Sequence, residues 1–247
     1  MNAIGQFFDI ILIRPLLNLM VLCYNYIPGH NIGVVIILVT VIVRVILSPS
    51  MHKALKGQRS LSAMQPKMNA IREKHKDDRA AQSKALMDLY KEHNYNPISS
   101  CLPTLIQLPI LLALYRVFVI GLGNSDLGQY LYHSVHNPGI INPNFILGIN
   151  LAHTSWALGV IAGLLQYWQT KMMFSKMQKS NDPTQNAMQT QTLYILPALT
   201  IIISLRVPGG LPLYWIVTTL FAIFQQWIIM RGSPAADQIS DKVQVVS

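Results

Sequence analysis

Arg44 lies in the run Val41-Ile-Val-Arg-Val-Ile-Leu47, and every neighbour within three residues on either side is an aliphatic side chain. A guanidinium stays charged in such a setting and carries five N–H donors but no acceptor. The chemistry open to it is recognition: it binds a carboxylate or phosphate, or it bonds water and carbonyl oxygens. Bond-breaking chemistry has no counterpart in the chain, since the patterns His-Glu-x-x-His, Gly-x-Ser-x-Gly and Gly-x-x-x-x-Gly-Lys are all missing. Cys23 and Cys101 sit in apolar surroundings and are too few for a disulfide framework or a metal site. No enzyme activity, metal or cofactor is expected.

Placing Arg at the centre of a lone membrane helix costs about 2.5–3.5 kcal/mol on insertion scales, so its charge needs compensation. All ten Asp and Glu residues of the chain fall outside its five longest apolar runs, which leaves no acidic partner within those runs. Compensation must come from water, backbone carbonyls or the polar side chains Thr40, Gln107, Gln166, Gln169, Thr218 and Gln225, all of which lie in apolar runs. That set favours a hydrated cavity with the guanidinium left free for an acidic group from outside the protein. Snorkelling is the alternative, because Arg44 lies near one end of its run and its stem can reach the headgroups. Gln107 falls between Pro103 and Pro109, which release backbone carbonyls that need neighbours or water. Taken alone, each Gln also reads as glue between helices.

The elements that position these residues follow from composition. Only 12% of the 247 residues are charged and 51% are hydrophobic, against about 25% charged in soluble domains. A helix crosses the hydrocarbon core with about 20 apolar residues, and five runs meet that need: residues 30–50, 97–120, 152–171, 190–207 and 208–231. The fourth is the weakest, for its apolar part is short and contains Pro197. The expected fold is all-α: a polytopic membrane protein of five transmembrane helices, an N-terminal interfacial amphipathic helix within residues 1–29, and a cytoplasmic helical hairpin at 51–96.

Within the N-terminal segment, Asp9, Arg14, Pro15 and Asn18 interrupt the apolar pattern. A helix lying in the interface, with Phe7, Phe8, Ile11 and Leu19 in the acyl region, is expected there, and a sixth span is the alternative. No basic segment precedes it, so a removable signal peptide is not expected. In the hairpin, Leu61, Met64, Met68 and Ile71 recur at helical spacing and form one apolar stripe. Flanked by Lys67, Arg72 and Lys74, this stripe reads either as a docking surface for anionic headgroups or an emerging polypeptide, or as part of a solvated connector. Residues 121–151 form a Gly-, Asn- and Pro-rich external loop, 172–189 a cytoplasmic loop, and 232–247 a polar tail expected to be disordered. Trp156, Tyr167, Trp168, Tyr214, Trp215 and Trp227 read as interfacial anchors.

Charge placement gives the orientation. Of 19 Lys and Arg residues, ten lie between Met51 and Asn96, three between Lys171 and Lys179 and two after Met230, while none lies between Val117 and Thr154. Five spans then put the C-terminus in the cytoplasm and the N-terminus outside. The net charge of +9 is thereby explained by topology, and direct nucleic-acid binding is not expected.

Several stretches are similar to one known family. Met64-Gln-Pro-Lys-Met68, Leu89-Tyr-Lys-Glu-His93, Asn96-Pro97 and Cys101-Leu-Pro-Thr-Leu-Ile-Gln-Leu-Pro-Ile-Leu-Leu-Ala-Leu-Tyr115 resemble the hairpin and second core span of YidC insertases. Pro208-Gly-Gly-Leu-Pro-Leu-Tyr-Trp215 with Gln225-Gln226 resembles their fifth span. The resemblance implies a hydrophilic groove open to cytoplasm and lipid but closed to the outside, in the plasma membrane of a bacterium. It assigns Arg44 to the groove, where the polar, often acidic tail of a newly made membrane protein binds. Thr40, Gln107, Gln166, Gln169, Trp215 and Thr218 would line or border that groove, and Leu165, Ile216 and Leu220 would form the slide along which the apolar segment enters lipid. Nascent membrane proteins and the bilayer are the implied partners, with the Sec translocon and the ribosome as further candidates. The chain departs from the family pattern at Arg206, where an apolar or aromatic residue is common, and at Thr218 and Thr219, where Asn is frequent. Neither the large external domain of some members nor the lipoprotein signal of others is expected. A small-solute transporter or channel is the rival reading, and a chaperone that holds spans for another translocon is a third.

Overall fold

A computed structural model describes residues 3–93, 95–123, 127–175 and 183–231. The chain is all-helical there: α1 (Ala3–Phe8), α2 (Arg14–Tyr26), α3 (Ile32–Lys74), α4 (Arg79–Glu92), α5 (Pro97–Leu122), α6 (Trp156–Phe174), α7 (Pro183–Thr190), α8 (Leu196–Ser204) and α9 (Gly210–Arg231). Among the described residues the β pairing is confined to an isolated bridge between Asn144 and Asn150. Among the described residues, four stretches can cross a membrane by length and composition: Gly5–Tyr26, Ile32–Lys74, Asn186–Ser204 and Gly210–Ile228; Gln107–Leu122 is a shorter apolar stretch. α6 is less apolar than these because Gln166, Gln169 and Lys171 occupy its second half. The expected tail at 232–247 lies outside the described residues.

Prolines shape several of these helices. Segments of π-helix at Asp9–Ile13 and Gln191–Ile195 each end just before a proline-containing turn, and the N–H groups of Arg14 and Leu196 reach back five residues to Asp9 O and Gln191 O. Pro15 and Pro197 follow immediately. A proline has no N–H and its ring crowds the carbonyl one turn back, and a wider turn relieves that crowding while keeping the helix continuous. For this reason the stretch Asn186–Ser204 runs unbroken through Pro197, longer than its apolar part alone implies. α3 likewise runs for 43 residues through Pro49 and Pro66, so the first apolar run and the first hairpin helix form one helix. Good helix formers such as Ala54, Leu55, Leu61 and Ala63 offset the local loss at Pro49.

The chain divides into two compact units, and α3 passes from one to the other between Leu47 and Ser48. The first comprises Met1–Leu47, Leu105–Gln166 and Pro197–Phe221. Its core joins Leu17, Met20, Val21 and Tyr24 of α2 to Ile32, Val35, Ile36 and Val39 of α3, to Val117 and Phe118 of α5, and to Leu211, Leu213 and Tyr214 of α9. Buried Asn18 ties α2 to the loop: its Nδ2 donates to Arg14 O (2.8 Å) and Tyr130 O (3.0 Å), and its Oδ1 accepts from Tyr132 N (2.7 Å). Asn25 Nδ2 donates to His136 O at 2.8 Å, and Tyr24 Oη accepts from Asn142 N at 3.1 Å. The segment expected to lie in the interface thus packs one face on the bundle, while Phe7, Ile10, Ile11 and Leu22 stay exposed. α6 and α8 approach closely where Gly159 and Gly163 face Ser204 and Ile201; a Cβ at Gly163 would lie 2.5 Å from Ile201 Cγ1.

The second unit comprises Ser48–Thr104, Tyr167–Leu196 and Ala222–Ser247. α4 begins at an N-cap supplied by Asp78, whose side chain accepts from Ala80 N and Ala81 N, both at 2.9 Å. This cap satisfies two of the donors that a helix start leaves open. Met64, Met68 and Leu89 form the hairpin core, packed by Leu61, Ile71, Leu86, Tyr90 and Tyr95. Elsewhere in the unit, Gln225 Nε2 donates to Ser48 Oγ at 2.9 Å, and the rings of Tyr167 and Tyr194 meet at 5.9 Å between centroids.

Candidate functional site

Four-residue spacing places Thr40, Arg44 and Ser48 on one face of α3. Arg44 is 5% exposed, so its head group is covered by protein and does not snorkel. Its Nη2 donates to Gln107 Oε1 at 3.0 Å, and Gln107 Nε2 donates in turn to Tyr214 Oη. The Tyr214 phenol also neighbours the guanidinium. Three helices, α3, α5 and α9, therefore meet at one buried polar chain within the first unit.

The start of α9 is fixed by backbone bonds. Gly209 N donates to His153 O at 2.8 Å and Gly210 N to Leu151 O at 3.1 Å. A Cβ on Gly209 would lie 3.1 Å from His153 O, so the close approach favours glycine. Pro212 fits the first turn, where a missing N–H costs nothing. Tyr214 then falls a full turn inside the helix, and at 1% exposure it is a core residue. The expectation that Tyr214 is an interfacial anchor is therefore corrected. Trp156, Trp168 and Trp227 are exposed as anchors should be, and Trp215 is half-buried against the core.

The other expected groove residues divide. Thr40 Oγ1 donates to its own helix at Ile36 O (2.6 Å) and borders an apolar cavity with Leu16, Met20, Val39, Leu114 and Phe118. That cavity has a volume of about 10 Å³, at the lower limit for one water molecule. Gln166 accepts from Thr200 Oγ1, a bond between α6 and α8 that fits the role of glue. Thr218 lies one turn beyond Tyr214, and its buried Oγ1 has no hydrogen-bond partner. Gln169 belongs to the second unit and is half-buried. Of the expected slide residues, Leu165 and Ile216 are half-buried, while Leu220 is exposed.

In the hairpin, Met64 and Met68 are buried against Leu89 and are not presented as docking groups, which corrects the expectation of an exposed stripe. The physical reason is the complementary stripe of α4, where Leu86, Leu89 and Tyr90 cover the stripe of α3. Lys74 is exposed, Arg72 is half-buried, and Lys67 Nζ lies 3.2 Å from His93 Nε2. Burial raises the Tyr90 phenol above its ordinary pKa, with Arg72 acting in the opposite direction and Tyr95 raising it further.

An all-helical fold with several apolar stretches and a buried arginine held by neutral polar groups defines a multi-pass membrane protein, and comparison with known proteins gives its family. Residues 23–236 match the family described as 60Kd inner membrane protein, and the chain belongs to that family. It is 34% identical over 229 residues to the membrane protein insertase YidC of Geobacter metallireducens, covering 92% of this chain and 38% of that protein. To the protein named membrane protein insertase YidC 1 of Halalkalibacterium halodurans it is 32% identical over 243 residues, covering 96% of this chain and 84% of the relative. The insertase YidC of Fusobacterium nucleatum is 33% identical over 201 residues, covering 81% of this chain and 87% of the relative. The chain thus spans about two fifths of the length of the Geobacter relative and most of the length of the other two.

Proposed function

We propose that this chain inserts newly made membrane proteins into the bacterial plasma membrane, receiving their polar, acidic end at Arg44 and releasing their apolar segment into lipid. The observation that carries the reading is the surroundings of Arg44: a neutral amide and a phenol, with every acidic residue outside the five expected spans and Asp9 of the Gly5–Tyr26 stretch paired with Arg14. A cation at that depth is held without being neutralised, which leaves its charge for a visitor. The unpartnered Thr218 hydroxyl, one turn from Tyr214, adds a second polar atom able to take water or substrate. Family membership and the names of the relatives support the same activity.

No nucleotide hydrolysis is needed in this scheme. Burial of an apolar segment gives about 0.8 kcal/mol per methylene, so the protein has only to lower the barrier for the polar end. Thr40, Gln107, Gln166, Gln169 and Trp215 would border the polar path in an opened state, with Leu165, Ile216 and Leu220 facing the apolar segment. Residues 30–50, 97–120, 152–171, 190–207 and 208–231 would span the membrane. The N-terminus would then lie outside, with the hairpin and C-terminus in the cytoplasm. The basic rim of Lys67, Arg72 and Lys74 would meet anionic headgroups, the emerging chain, the Sec translocon or the ribosome.

Reconstitution tests the proposal. Liposomes holding the purified chain should insert a short single-span protein with an acidic tail, and Arg44→Ala should lower that insertion by about tenfold. Undiminished insertion by folded Arg44→Ala would remove the proposed role of Arg44. Solute flux without insertion would replace the whole reading with that of a channel.

A further inference from the structure

The head group that should receive an acidic tail is occupied in this structure. Gln107 presents its carbonyl oxygen to Arg44 and its NH2 to Tyr214 Oη. The two ends of the amide are not interchangeable: guanidinium only donates, so it must face Oε1, and the phenol oxygen then receives the amide N–H. Buried Tyr214 is thus the fixed post that aims the carbonyl of Gln107 at the cation.

We propose that Gln107, aimed by Tyr214, is an internal stand-in for the incoming carboxylate, a neutral latch that sets which tails can engage Arg44. This rests on the proposed role of Arg44 and adds a selection step to it. A carboxylate that displaces the latch exchanges a neutral acceptor for an anionic one, and charge-assisted hydrogen bonds are roughly twice as strong as neutral ones. The amide of an Asn or Gln tail exchanges like for like and gains nothing. Both tails displace the same latch, so Gln107 lowers the two affinities alike and sets a threshold that a neutral tail does not clear, while the ratio between them comes from the charge of Arg44. Tyr214 is a positioning residue that acts through Gln107.

The test uses the full chain in lipid nanodiscs and two fluorescent single-span peptides, identical except that the tail carries Asp in one and Asn in the other. The readout is each dissociation constant as well as their ratio, with thermal unfolding as the check on folding. Wild type should prefer the Asp peptide by about tenfold or more. Gln107→Glu, which installs a resident carboxylate of the same shape, should weaken Asp-peptide binding by a similar factor. Gln107→Ala should bind both peptides more tightly by a similar factor and leave the ratio near its wild-type value, because neither tail then has a latch to displace. Tyr214→Phe should tighten both by less.

Wild-type affinity for both peptides in Gln107→Ala, or wild-type binding by Gln107→Glu, overturns the latch. Should Gln107→Glu fail to fold, the two dissociation constants of Gln107→Ala decide alone. The two readings fail differently. If Arg44→Ala keeps the wild-type preference, the role of Arg44 is lost and the latch with it. If Arg44→Ala abolishes the preference while the Gln107 variants behave as wild type, only the latch is lost.

Discussion

Arg44 and Gln107 were both legible as residues, because a cation and an amide inside apolar runs stand out against their neighbours. Their pairing was not, since it depends on how α3 and α5 rotate against each other. The place of Tyr214 was hidden for a different reason: an aromatic close to a run's end looks like an interfacial anchor. The signal that would have found it is the Pro208-Gly-Gly start, which puts the first turn of α9 ahead of the tyrosine. Thr218 gives a prediction at this scale. A buried hydroxyl without a partner costs about 1–3 kcal/mol, so if the site is dry, Thr218→Val should raise stability by about 1 kcal/mol in a thermal melt and leave insertion unchanged. If the hydroxyl takes water or substrate, as proposed, Thr218→Val should lower insertion without raising the melting temperature, and insertion assays distinguish the two.

At the level of elements, hydrophobic periodicity showed the helices but not which faces they cover. The stripe of Leu61, Met64, Met68 and Ile71 looked available for docking, yet α4 carries the matching stripe and the two close on each other. Proline interrupts these helices less than its missing N–H suggests, since α3 continues through Pro49 and a π turn carries the chain past Pro197. The clamp of α2 on the loop yields a second prediction. Asn18→Ala removes both bonds to the 130–132 segment and should destabilise the chain by about 1–3 kcal/mol, with faster hydrogen exchange at the Tyr132 amide as the local sign. Tyr90 yields a third. A phenol whose pKa is higher in the fold than in the unfolded chain keeps its proton better when folded. Stability is then level below the ordinary phenol pKa of about 10 and declines as pH rises above it. Tyr90→Phe should flatten that alkaline decline in the hairpin, read by hydrogen exchange across α4.

For the whole molecule, the distribution of Lys and Arg makes topology the most exposed of the proposals. Cysteine at position 140, where the loop residue is 89% exposed, should react with an impermeant thiol reagent from outside the cell. Cysteine at exposed position 84 of the hairpin should react only from the cytoplasmic side, and reversed labelling would overturn the orientation. The all-helical, multi-span class was readable from composition, whereas the division of α3 between two units was not, because nothing local marks where contacts change hands.

The buried chain at Arg44 also constrains how this protein is itself made. Gln107 is synthesised 63 residues after Arg44, and Tyr214 a further 107 residues later. At about 5–20 residues per second, the ribosome takes on the order of ten to thirty seconds to complete the set. Throughout that interval the first hydrophobic segment is an incomplete guest in the bilayer, its cation facing headgroups or water until its last neighbour is translated. A protein proposed to escort unfinished membrane chains begins its own existence as one of them.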